Sequence, residues 1–239
     1  MRIALVSDLH FEFHADKGKS FVDSIDVSNV DVLILAGDIT THDSIKQALE
    51  WFSAKGKPVL YVLGNHEFYN SSFEDVYNIV KSVKLPNIHI LNNDIVEIDG
   101  VRFLGTTMWF RDDPYNTFYK KGMNDFFVIK KFEKHVYEEN NKALDFLYGN
   151  IKESDVVITH HLPSEKCIHP LFKKSSLNNF FVCDVENLIV SHAPKLWCFG
   201  HTHFSFDLNI GETRVIANPF GYAGYELNSK FDDNLIIEV

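Results

Sequence analysis

The chain is poor in cysteine and arginine and has no long apolar run. Its 239 residues include three cysteines, Cys167, Cys183 and Cys198. A disulfide framework uses a denser, even-numbered set, so reduced thiols are expected. No apolar stretch approaches the roughly 18–20 residues of a membrane span. The first residues pass straight into Ile3-Ala4-Leu5-Val6, without the charged, apolar and small-residue regions of a secretory leader. A cytoplasmic protein with no membrane partner is expected. Positive charge is also scarce, with 23 Lys and Arg against 33 Asp and Glu and a net charge of −10. Only Arg2, Arg102, Arg111 and Arg214 carry a guanidinium. That balance weighs against a protein that tracks or reads a polyanion, and nucleic acid enters only as a possible substrate. There are seven prolines, no Pro/Gly/Ser-rich linker and no fixed-period repeat. One domain over residues 1–239 is the simplest reading.

What the chain does have is a rhythm of short, fully apolar runs, each followed by a polar cluster. Arg2 to Val6, Val32 to Ala36, Val59 to Leu63 and Ile88 to Leu91 read as strands. Helical patterns over Ser44 to Ala54 and Phe73 to Val83 separate them, which predicts parallel βαβ units. Asp43 or Ser44 is placed to cap the first of these helices and Ser71 or Ser72 the second. Asp99-Gly100 between two apolar runs predicts a hairpin. Residues 108–131 show little period and read as a cap or lid loop. Further strands are expected over Val156 to Thr159, Leu196 to Phe199, Phe206 to Ile210, Arg214 to Ala217 and Leu235 to Val239, with helices over Phe132 to Asn150 and Val185 to Ala193. Periodicity alone gives an α/β fold, and the 21 phenylalanines read mostly as its core.

Ligands of open α/β sheets gather beyond the carboxyl ends of strands. Asp8 and His10 follow the first strand, Asp38 the second and Asn65-His66 the third. His160-His161 follow Val156 to Thr159, and His201 and His203 follow Leu196 to Phe199. Two carboxylates, an amide and several imidazoles make a mixed N/O donor set, suited to zinc, manganese, iron or nickel rather than calcium. Asp38 has two oxygens with which to bridge two cations. Two divalent ions can clamp a phosphoryl group and turn a bridging water into hydroxide. His66, beside Asn65, is placed to stabilise charge or protonate a leaving group. Singly, each cluster is as well explained by a turn. Five clusters at one topological position are not.

Asp8-Leu9-His10, Gly37-Asp38, Gly64-Asn65-His66-Glu67, His160 and Gly200-His201-Thr202-His203 resemble the motifs of the calcineurin-like metallophosphoesterases, in the family's order and spacing. The resemblance spans residues 8–203 and implies a four-layer α/β/β/α sandwich of two mixed sheets. It implies Asp8, His10 and His203 on one ion, Asn65, His160 and His201 on the other, and Asp38 between them, with manganese favoured. His66 would act at the scissile phosphate, and Glu67 would orient a histidine. The sequence departs from the phosphoprotein phosphatases, because Ile39-Thr40-Thr41 follows Gly37-Asp38 where they carry an arginine. Either His160 or His161 could be the ligand, and the position directly after the strand favours His160. Arg111, His161 and Asn124 are candidate substrate contacts, with His14 and Asp125 as further residues that could line the pocket. The remaining histidines, His169 among them, read as surface or packing residues, and Asn218 to Tyr222 as a structural turn. The expected activity is hydrolysis of a phosphomonoester or phosphodiester, on a small molecule or nucleotide. The alternatives are a metal-binding scaffold without catalysis and a small nuclease.

Overall fold

A computed structural model describes residues 1–239. The first apolar runs form strands β1 (Arg2–Val6), β2 (Val32–Ala36), β3 (Val59–Val62) and β4 (Ile88–Ile90), all parallel. Helices α1 (Lys19–Ser24), α2 (Ile45–Ser53) and α3 (Phe73–Ser82) connect them. Helix α2 buries Ile45, Ala48, Leu49 and Phe52, the i, i+3, i+4, i+7 stripe of an amphipathic helix. Ser72 caps α3 by accepting from Asp75 N at 3.2 Å. Ser44 holds the corresponding place on α2 without a side-chain bond.

A second sheet begins with the hairpin β5 (Asp94–Ile98) and β6 (Val101–Thr106). Asp99 and Gly100 both take positive φ, 48° and 79°, as a type I′ turn requires. Residues 108–131 are anchored rather than loose. Trp109, Phe110, Met123 and Ile129 are buried, and the segment contains the short helices α4 (Asn116–Tyr119) and α5 (Asp125–Val128). Helix α6 (Phe132–Asn150) leads to β7 (Val156–Thr159), and α7 (Glu186–His192) leads to β8 (Leu196–Phe199). Strands β9 (Phe206–Ile210) and β10 (Thr213–Ala217) complete a six-stranded sheet in the order β5-β6-β7-β8-β10-β9. A small ribbon pairs β11 (Gly221–Tyr222) with β12 (Glu226–Leu227). The last strand, β13 (Ile236–Glu238), returns antiparallel to β1, so the five-stranded sheet reads β13-β1-β2-β3-β4.

The two sheets pack on each other through Ile3, Leu5, Ile34, Val62, Phe103, Ile158 and Cys198. On its other face, the first sheet packs on α2 and α3 through a core that includes Leu35, Leu49, Phe52, Tyr61 and Val76. The second sheet packs on α6 and α7 through Val157, Trp197, Leu144, Leu147 and Leu188. These three apolar cores separate four layers, the expected α/β/β/α sandwich. Pairing registers place Val6 opposite Leu35, Ala36 opposite Val62 and Ile158 opposite Cys198. The chain therefore leaves β1, β2, β3, β7 and β8 along a shared edge. Asn218 stitches that edge by donating to the carbonyl of Leu5 at 2.8 Å.

Candidate metal centre

All seven predicted ligands converge at this edge. Asp38 Oδ2 lies 3.8 Å from His10 Nε2 and 3.4 Å from His160 Nε2, so one oxygen faces both histidines. On one side Asp8, His10 and His203 form a group, and on the other Asp38, His160 and His201 do. His203 Nε2 is 3.7 Å from Asp8 Oδ1 and 3.0 Å from His10 Nε2. Asn65 joins the second group with its Oδ1 3.1 Å from His160 Nε2.

Hydrogen bonds behind these atoms fix what they present. His160 Nδ1 meets the carbonyl of Ala36 at 2.9 Å. Nδ1 therefore donates there, and Nε2 turns inward, toward Asn65 Oδ1 and toward Asp38 Oδ2 at 3.4 Å. The Asn65 amide nitrogen donates to Asp125 Oδ1 at 3.0 Å, which leaves its oxygen on the inside. The imidazole nitrogen and the amide oxygen thus face each other at 3.1 Å. His10 repeats the arrangement, with Nδ1 on Glu12 Oε1 at 3.2 Å and Nε2 toward His203. The buried His201 Nε2 has no partner at all. Imidazole nitrogens, an amide oxygen and carboxylate oxygens turned toward one another suit a cation between them, and N/O donors suit a transition metal. The residues present fit two divalent ions.

The backbone is bent to reach this geometry. Asp8, His10, Asp38, His201 and His203 all adopt positive φ, between 47° and 66°. Such conformations cost free energy and cluster at functional sites. Close packing adds to the constraint. A Cβ on Gly37 would collide with the His160 ring, and one on Gly64 with the Asp38 carboxylate. Those two glycines let the strand-end loops touch.

Electrostatics follow burial and the two carboxylates. Burial raises Asp8 to about 7, while neighbouring cationic histidines hold Asp38 well below its usual range against the same burial. Burial alone would lower His160, but Asp38 outweighs it and lifts the imidazole to about 9. His201 and His203 are pushed down, first by burial and then by neighbouring histidines, His203 to about 3.

His66 stands beside the two groups. Its backbone N–H donates to Asp38 Oδ1 at 2.8 Å, and its Nδ1 meets Glu12 Oε1 at 2.8 Å. Its ring stacks on Tyr69 with centroids 4.0 Å apart, and its Nε2 lies 3.3 Å from the Tyr222 hydroxyl. Burial pulls His66 down, yet Asp38 and Glu12 raise it to about 8. Glu12, bonded to both His10 and His66, is drawn down to about 2 against its burial.

Several expectations for the surroundings are corrected. Glu67 touches no histidine. Its carboxylate accepts from the backbone N–H groups of Asp38, Ile39, Thr40 and Gly64 and from Tyr61 Oη, so it shapes the Gly37-Asp38 turn, and Glu12 is the carboxylate that holds histidines. His161 is fully buried, bonded through Nδ1 to the Thr107 carbonyl and packed 4.4 Å from the His201 ring. It lies behind the ligands, outside the cavity lining. Arg111 is exposed and donates to the Asp184 carbonyl, and it too lies outside the lining. His14 bonds the Leu9 carbonyl and packs on Phe220. Asn124 does line the cavity, while Asp125 beneath it orients Asn65. His169 and Tyr222, read as packing and turn residues, both line the cavity. Glu12 carried a weak signal, two residues beyond His10 with a side chain able to reach back. Tyr222 and His169 carried none.

A sequence model of the calcineurin-like phosphoesterase family matches residues 1–205. An uncharacterised protein of Acanthamoeba polyphaga mimivirus is 29% identical over 253 residues, covering 91% of this chain and 90% of that protein. Among solved structures, phosphopantetheinyl hydrolase from Mycobacterium tuberculosis superposes with a TM-score of 0.70 at 15% identity, over 92% of this chain and 89% of the other. The TT1561 protein of Thermus thermophilus superposes with a TM-score of 0.56 at 16% identity, over 91% and 88%. At such identities the superpositions speak for the fold. With the family match over most of its length and the strand-end motifs in place, this chain belongs to the calcineurin-like phosphoesterases.

Proposed function

We propose that the protein is a phosphoester hydrolase that works with two divalent ions, manganese being favoured. Asp8, His10 and His203 would hold one, Asn65, His160 and His201 the other, and Asp38 would serve both. When bound, such ions neutralise phosphoryl oxygens and make water a stronger nucleophile near neutral pH. The observation that carries the reading is Asp38 Oδ2 facing His10 and His160 at once, with His66 alongside.

The chain's own residues then do the rest. Glu12 accepts from His66 Nδ1 and supports its protonated form. His66 Nε2, 3.3 Å from Tyr222 Oη, would give its proton to the departing alcohol oxygen, the work of a general acid. Tyr69 stacks under the ring and fixes its plane. Tyr222 Oη and Asn124 offer neutral donors at the cavity side of the site.

The reading is tested by loading the protein with manganese, iron, zinc or nickel, counting bound metal by elemental analysis, and assaying p-nitrophenyl phosphate and bis-p-nitrophenyl phosphate. Turnover by protein carrying about two ions per chain is expected. Metal-loaded protein inert on a broad phosphoester panel would overturn it in favour of a scaffold.

A further inference from the structure

The cavity over the metal centre has a half that the hydrolytic chemistry does not use. The space measures about 370 Å³, in the range of small-molecule sites. Its far wall grows directly out of the ligands. Phe181 stacks on His201 with centroids 4.4 Å apart and planes at 27°. Phe204, next in the chain to His203, stacks on His169 at 3.9 Å and 14°. Met123, Ile168, Phe172 and Leu177 complete an apolar face. Three short 3-10 helices, at Glu165–Cys167, Pro170–Phe172 and Ser176–Phe180, hold Phe172 and Leu177 and directly precede Ile168 and Phe181. Side chains of Ser164, His169 and Ser175 cap those turns, so the wall is built.

Charge is the second observation. None of the 21 lining residues is lysine or arginine, and the only carboxylate beyond Asp38 is Glu226. Lys121 and Lys174 neighbour the lining residues Gly122 and Ser175 in sequence but do not line the space themselves. A second phosphate or a carboxylate entering this half would give up hydration with no cation to receive it. An alkyl chain or an aromatic ring would gain from leaving water and would meet flat aromatic faces.

We infer that this half is a subsite for the alcohol part of the phosphoester, and that it takes an uncharged, apolar group. The inference rests on the hydrolase reading for its orientation, with the phosphate at the ions and the alcohol against Phe181 and Phe204. It disfavours nucleoside polyphosphates, phosphorylated sugars with further charges, and phosphoproteins.

The test is a matched series of alkyl phosphates from ethyl to hexyl, each offered as monoester and as methyl diester, beside ω-carboxylate versions of the same lengths. On holoenzyme, kcat/KM should rise by about threefold per added methylene and fall at least about tenfold with the terminal carboxylate. Phe172→Lys, at the rim, should shrink the preference for hexyl over its ω-carboxylate by about tenfold. Metal content and circular dichroism establish that this variant is folded. Binding of non-hydrolysable alkylphosphonates, followed by calorimetry, should rank the same way. Rates independent of chain length, or faster on the carboxylates or on ATP than on phenyl phosphate, would overturn the subsite and leave the hydrolase reading standing. No turnover of any ester by metal-loaded protein would overturn the hydrolase reading, and the phosphonate affinities would then decide the subsite alone, with a flat series rejecting it.

Discussion

One wall of the cavity is made of strand ends and the other of irregular chain, and they are held in different ways. Behind the strand-end wall three donors are fixed by a partner: Ala36 for His160, Asp125 for Asn65, Glu12 for His10. Five of its residues sit at positive φ, a cost that two packed sheets can impose. The opposite wall has no such strain among Ile168, Phe172, Leu177 and Phe204, and short polar caps on 3-10 turns hold it. Phe172 is 47% exposed and its neighbour Leu171 is 77% exposed. Each property therefore resides in a different kind of chain. Chemistry that needs fixed donors is set on the rigid layers, and shape that selects a substrate is set on connections that can change without disturbing them.

If the walls are separable in this way, mutations should sort by wall. The largest effect is expected for Asp38→Ala, which removes the oxygen shared by both histidine groups. Hydrolysis should fall by roughly 10⁴-fold, and elemental analysis should show metal lost with it. Retention of both ions would show that the two groups hold metal independently. His66→Ala should lower kcat by about 10²- to 10⁴-fold with metal content unchanged, which separates catalysis from metal binding on the same wall. Glu12→Gln should cost about 10- to 100-fold, as partners of metal-bound imidazoles do. An effect as small as that of an exposed residue would remove Glu12 from the machinery. On the other wall, Leu177→Ala should raise KM for an apolar ester by about tenfold, leaving metal content and the rate on the shortest ester close to wild type. Metal loss in that variant would break the comparison.

The smallest effect concerns His161, behind the strand-end wall. Burial first, and the charge on His160 second, hold its pKa down to about 3, against 6.5 for the free group. A folded pKa below the unfolded one gives stability that is present above about 6.5 and lost as pH falls toward 3. Between pH 7.5 and 5.5, His161 should cost metal-free protein roughly 1 kcal/mol. Denaturant unfolding at the two pH values should show that much less acid sensitivity in His161→Gln than in wild type.

Much of the fold was legible because its strands are locally written. Val32–Ala36 and Val156–Thr159 are uninterrupted apolar runs, buried at every position, and nothing about their neighbours is needed to recognise them. Lys19–Ser24 and the 3-10 turns between His160 and Cys183 were not legible, since they are short and depend on contacts such as Val22 on the core. Residues 108–131 lacked period because their order comes from Trp109 and Phe110 packing into the core, not from a repeating face. Arg111 combines a positive charge with a loop that begins at a strand end, and neither reports the direction of its side chain, which turns to the Asp184 carbonyl. Glu67 drew attention through its place beside His66, whereas its carboxylate turns toward backbone N–H groups of the preceding strand-end loop.

The candidate donors, and the edge on which they lie, were legible in the linear order of residues. Apolar runs of four or five residues followed by Asp, Asn or His place each donor at a strand end, and parallel pairing aligns those ends. How the donors face one another is set instead by the packing of the layers. The Asn65–His160 contact joins residues 95 apart, the Asn65–Asp125 bond residues 60 apart, and the His66–Glu12 bond residues 54 apart. Whether Asp38 serves one group or two, whether His160 or His161 turns inward, and whether the far wall is apolar all depend on how layers pack. That packing sums many contacts distant in sequence, and no local pattern encodes it.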